Sequence, residues 1–190
     1  MSRSGPPVNG WFIDLLRLPS PNVDARPAGS VIDLLVIHAI SLPPRRYGGT
    51  SIADLFLNRL DHAADPYFAG LVGLRVSAHF LIRRDGDTVQ FVSMAERAWH
   101  AGVSSHAGRE ACNDFSIGIE LEGCDEDPFT AAQDAALVSL TWRVMQACPA
   151  ISVERIVGHA DIAPARRTDP GPHFDWTAYR QALRAVPLAI

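Results

Sequence analysis

The chain has 190 residues, 47% of them hydrophobic and 20% charged, which suits one ordinary domain with a sizeable core, and nothing in it marks a second. A formal net charge of -4 argues against a nucleic-acid binder, which carries a basic excess to neutralise phosphates, so an anionic substrate would have to be met by local arginines. No apolar run has the length of a signal peptide or a bilayer span, and the expectation is a cytoplasmic protein with no membrane partner.

Residues 1–30 are rich in Pro, Gly, Ser and Asn around a short apolar patch, Trp11 to Leu18, and read as an arm packed on a domain of residues 31–190. The run DLLVIHAI, 33–40, is apolar throughout apart from its ends, as in a strand buried on both faces, with His38 near its end. Ile52, Leu55, Phe56 and Leu60 fall at helical spacing and predict a short amphipathic helix over 51–60. SAHFLIRR and TVQFVSM flank an Asp-Gly-Asp and predict a hairpin, because Asp-Gly supplies the positive φ that a tight turn needs.

SIGIELEG alternates from Ser116. Ile117, Ile119 and Leu121 face one side and Glu120 and Glu122 the other, where the two carboxylates could be no more than the solvated face of a strand. Thr130 with Gln133 forms a capping-box signal for a helix through Leu137, Leu140 and Val144 that stops before Pro149. A short strand, ERIVG, ends at His159, and Asp175 caps a last helix through Tyr179 and Leu183. Strands and helices intermixed in this order predict a single α/β domain, with a central mixed β-sheet flanked by helices. Cys112, Cys124 and Cys148 are too few and too widely spaced for a disulfide scaffold or a zinc knuckle and read as reduced thiols.

The segment VGHADIAPARRTDPGPHFDW, 157–176, holds two His, three Asp, two Arg and three Pro, a composition that fits neither a buried strand nor a continuous helix. His38 and His159 each lie at or just beyond the C-terminal end of a predicted strand and Glu120 lies near the end of a third, so the three could converge on one rim, where ligand crevices form in open α/β sheets. With Asp169, ten residues past His159, the two histidines make a three-ligand zinc site whose fourth position is left to water, the arrangement of a hydrolytic metal. Bound zinc lowers the pKa of water to about 7, and a nearby carboxylate would serve as base. The competing reading is a closed structural site with His173 as fourth ligand. Spacing does not choose between Glu120 and Glu122.

GHADIAPARRTDPGPHFDW resembles the C-terminal signature of the AmpD-type anhydro-N-acetylmuramyl-L-alanine amidases, a zinc amidase family related to phage amidase-type lysozymes and peptidoglycan recognition proteins. GWFIDLLRLPSPNVDARP, VIHAISLPP, DPYFAGLVGLRVSAHFLIRRDG, ERAWHAGVSSHAGRE and CNDFSIGIELEG are similar to the same family in the same order, over roughly residues 10–180. The resemblance implies the amidase and peptidoglycan-recognition fold, one Zn2+ per chain on His38, His159 and Asp169, Glu120 as catalytic carboxylate, and Arg167 as a catalytic cation where similar proteins carry Lys. It also implies substrate contacts from Arg75 and Trp99, which taken alone read as a surface charge and a core aromatic.

The implied substrate is a soluble anhydro muropeptide cut at the lactyl–L-alanine amide during peptidoglycan recycling, by a monomer. The alternatives are an amidase of intact cell wall and a non-catalytic peptidoglycan-binding module. Ala39 and Ala111 depart from the family pattern, where Asn and Arg are expected. His79 and His100 read as structural or supporting residues, and His62, His106 and His173 as loop residues.

Overall fold

The computed structural model describes residues 5–186. The first four residues of the arm and the last four of the domain lie outside the described residues. In chain order the strands are β1 (Leu16–Arg17), β2 (Val23–Asp24), β3 (Leu34–Ile40), β4 (Phe80–Ile82), β5 (Thr88–Gln90), β6 (Arg97–Ala98), β7 (Ser105–His106), β8 (Arg109–Glu110), β9 (Ser116–Glu122) and β10 (Ile156–Gly158). The helices are α1 (Ser51–Phe56), α2 (Ala131–Ala147), α3 (His159–Ile162) and α4 (Trp176–Ala185).

Six strands form the central sheet in the order β1-β5-β4-β9-β3-β10. It is mixed: β4 and β5 are the antiparallel hairpin expected around Asp-Gly, with Gly86 at φ +89°, and every other pairing is parallel. The arm is part of the fold, since β1 adds an edge strand to this sheet and β2 pairs with β6 in a small ladder of its own. The third ladder is the β7–β8 hairpin.

Residue alternation along β3 and β9 divides the sheet into two different faces. Leu35, Ile37, Ile117, Ile119 and Leu121 pack with Phe80 and Ile82 against Leu137, Leu140 and Val144 of α2 and Tyr179 and Leu183 of α4, and this is the main core. Thr130 caps α2 through a complete capping box with Gln133, whose side chain is fully buried and also reaches the carbonyl of Glu122. Asp175 caps α4 through the amide of Ala178.

One local expectation changes and one alternative falls. The helix predicted over 51–60 ends at Phe56, because Asn58 adopts a left-handed conformation, φ +57°, and its side chain bonds to Asn22 of the arm. His159 lies just beyond its strand, as expected: β10 stops at Gly158, and His159 opens the single turn of α3. Glu120 and Glu122 are not a solvated face, since both are buried. Glu122 accepts from the amides of Gly48 and Arg84 and so ties two loops to the end of β9. The three cysteines are free.

Candidate metal centre

In the parallel register of β3 and β9, His38 lies directly beside Glu120, on the face opposite the main core. The neighbouring pairing of β10 with β3 brings the start of α3, and with it His159, to the same end of the sheet. The chain then turns back through the 163–168 loop. The Ala160 amide donates to the Asp169 carbonyl, fixing the returning segment against α3.

Three donor atoms meet there. His38 Nδ1 is 3.0 Å from His159 Nδ1 and 3.3 Å from Asp169 Oδ2, and His159 Nδ1 is 3.1 Å from Asp169 Oδ2. A tetrahedral ion with bonds of about 2.0–2.1 Å would space its ligands roughly 3.3–3.4 Å apart, close to the triangle already present. His159 Nε2 has the Ala101 carbonyl at 3.4 Å, an acceptor only, which leaves Nδ1 as the unprotonated nitrogen. Lone pairs gathered this closely repel unless a cation or proton lies between them, so the donor set fits a small divalent metal. Among the described residues no other His, Cys or acidic group joins this cluster, and His173, exposed on its loop, does not close the shell.

The electrostatics favour a neutral His38 beside an ionised Asp169. Burial pushes His38 down to about 4, against the opposing pull of Asp169. Burial by itself would raise Asp169, but the His159 and His38 contacts outweigh it and hold the carboxyl below the usual range. Glu120 is pushed well above its ordinary value by burial and then by the Asp169 charge, with Arg167 pulling the other way. Its Oε2 is buried with no hydrogen-bond partner among the described residues, a state that needs an explanation in ligand or solvent.

His159, Asp169, Glu120, Arg167 and Trp99 all line one cavity of about 260 Å³, whose far wall is apolar. Ala39 lines it as well, while Ala111 is exposed elsewhere at φ +56°. Arg75 is exposed and outside the lining, between Leu74 and Val76, which both contribute to it.

His100, expected as a structural or supporting residue, stands at the back of the site. His38 Nε2 lies 2.9 Å from His100 Nδ1, and the His100 ring packs on Gly118 in the middle of β9. The available signal was Gly118 itself, since a lone glycine inside a bulky strand pattern marks a close approach.

The family model described as N-acetylmuramoyl-L-alanine amidase matches residues 28–172. The 1,6-anhydro-N-acetylmuramyl-L-alanine amidase AmpD of Citrobacter freundii is 54% identical over 171 residues, 90% of this chain and 91% of that one. The crystal structure of a selenomethionine derivative of AmpD superposes with a TM-score of 0.89 at 54% identity, over 93% of this chain and 98% of that one. A complex of the Escherichia coli amidase AmiD with anhydro-N-acetylmuramic acid-L-Ala-D-gamma-Glu-L-Lys gives a TM-score of 0.59 at 32% identity, over 83% of this chain and 60% of that one.

Proposed function

The chain belongs to the N-acetylmuramoyl-L-alanine amidase family, and on that premise we propose that it is the zinc-dependent recycling enzyme of this class. Its reaction is hydrolysis of the amide between the lactyl group of 1,6-anhydro-N-acetylmuramic acid and the L-alanine of a soluble stem peptide. The observation that carries this reading is the His38, His159 and Asp169 donor triangle beside a Glu120 whose buried Oε2 has no partner among the described residues, in a chain so similar to AmpD.

A zinc ion held by His38, His159 and Asp169 would supply water of lowered pKa and an electrophile for the amide carbonyl. Glu120 takes the proton from the attacking water and returns it to the leaving amine. Burial and the Asp169 charge raise this carboxyl above its ordinary value, which makes it a stronger base toward the water. Arg167, on the cavity wall, offers its guanidinium to the oxyanion that develops at the carbonyl.

Trp99 presents its ring to the sugar, and Arg75, next to the mouth, meets a stem-peptide carboxylate. The proposed acting form is a monomer. The proposed location is the cytoplasm, and among the described residues no helix is long and apolar enough to cross a membrane.

The test compares release of peptide from soluble 1,6-anhydro-N-acetylmuramyl-tripeptide with release from insoluble sacculi, both followed by mass spectrometry. Turnover of the soluble substrate in clear excess is the expected result. Turnover mainly of sacculi would make the protein a wall amidase, and cleavage of neither would leave a binding module.

A further inference from the structure

Behind the donor triangle runs a chain of four hydrogen-bonding groups whose direction can be read from its far end. Ser116 Oγ is 2.6 Å from the carbonyl oxygen of Cys112, which can only accept, so the hydroxyl proton points there. The same Oγ therefore accepts from His100 Nε2, 3.3 Å away. His100 Nδ1 is then bare and accepts from His38 Nε2 at 2.9 Å. His38 must carry its one proton on Nε2, which leaves the Nδ1 lone pair aimed at His159 and Asp169.

The segment that provides this chain is itself pinned. Asn113 Oδ1 accepts from the amides of His100 at 3.2 Å and Ala101 at 2.8 Å, and the Ala101 carbonyl is the partner of His159 Nε2. Two consecutive residues thus back both imidazoles of the triangle. The ring of His100 is perpendicular to that of His38, at 83°, and a Cβ on Gly118 would meet its Cγ at 2.5 Å, so the strand keeps a glycine where the ring stands.

We propose that His100 is a positioning residue, which through its Nδ1 acceptor, oriented by Ser116 and the Cys112 carbonyl, fixes the tautomer and ring plane of His38 for metal binding. The proposal rests on the reading of His38, His159 and Asp169 as metal ligands. Outer hydrogen-bond partners of metal-bound histidines typically contribute about 10- to 100-fold in metal affinity.

The test uses Zn2+ itself, titrated into metal-free protein in competition with a chromogenic chelator, for the wild type, His100→Asn and His100→Leu. The two substitutions are alike in size, and only Asn offers an acceptor near the position of Nδ1. The expected result is that Asn stays within a few-fold of wild type while Leu binds Zn2+ roughly 10- to 100-fold more weakly. Thermal unfolding of the metal-free Leu variant is expected to be no lower than that of Asn.

Equal affinities for the two variants, whether both unchanged or both reduced, would overturn the role of the acceptor. If neither folds, Ser116→Ala decides: a fall of roughly tenfold supports the chain and wild-type affinity refutes it. A wild type that takes up no Zn2+ would instead overturn the metal site, and this proposal with it.

Discussion

Alanine in place of Gly118 puts a methyl carbon where the His100 ring already lies, at 2.5 Å from Cγ and 2.7 Å from both Cδ2 and Nδ1. Ordinary carbon contacts are about 3.5–4.0 Å, so the overlap is roughly 1 Å. The strand cannot yield easily. Gly118 donates its amide to His79 Nδ1 at 3.0 Å, accepts from the His79 amide at 3.1 Å, and pairs with Val36 in the densest part of the sheet. The ring must therefore shift, and the Nδ1 that accepts from His38 shifts with it.

Overpacking of this kind costs about 1–3 kcal/mol. For a chain of this length each kcal/mol shifts Tm by roughly 2–4 °C, so metal-free Gly118→Ala is expected to melt about 2–12 °C below wild type. A second effect is separable from the first. If His38 loses its partner and zinc affinity falls about tenfold, saturating zinc should stabilise the variant by about 1.4 kcal/mol less than it stabilises wild type. Calorimetry of both proteins with and without Zn2+ measures the two terms. Wild-type melting together with an undiminished zinc increment would refute the packing argument and the part assigned to His100.

The buried histidines predispose the metal-free protein to acid. Burial pushes His38 down to about 4 and His79 and His100 well below their ordinary value, so between about pH 6.5 and 4 the unfolded chain holds protons that the folded chain does not. Stability should fall as pH drops through this window, by about 3 kcal/mol for His38 over its full span, as read from urea midpoints at pH 7, 6, 5 and 4. Glu120, raised above the carboxylate range, works in the opposite sense, and Glu120→Gln should steepen the decline; a flat profile would contradict both. Thr130→Ala removes one half of the α2 capping box and is expected to cost about 0.5–2 kcal/mol in denaturant unfolding. Arg167→Ala should lower kcat by about 10²–10³, the usual effect of losing an oxyanion partner, whereas Arg167→Lys, which keeps the charge, should stay within about tenfold; equal losses would mean that the charge is not what acts.

The central strands, the hairpin, the capping box and the mixed α/β class were legible because each rests on a local pattern: alternation, an Asp-Gly turn, or a Thr and Gln three residues apart. The features that were misread or left open depend on distant partners. The end of α1 is set by Asn22, 36 residues away from Asn58, and the burial of Glu120 and Glu122 is set by the elements that cover β9. The donor residues could be picked out by type and spacing, but their mutual distances arise only when three parallel strands bring positions 38, 120 and 159 to one end of the sheet. The His100 chain was hidden for the same reason, since three hydrogen bonds between side chains and a carbonyl leave no periodic trace in a sequence.

The most direct test of the account takes wild-type and Glu120→Gln protein, assays each for bound metal, and follows hydrolysis of 1,6-anhydro-N-acetylmuramyl-tripeptide by mass spectrometry before and after chelation. One zinc per chain in both proteins is expected, with cleavage by the wild type that is lost on chelation and restored by Zn2+, and a rate at least about 10²-fold lower in the variant. Cleavage that survives complete removal of metal, or a Glu120→Gln variant as fast as wild type, would contradict the assignment of this site.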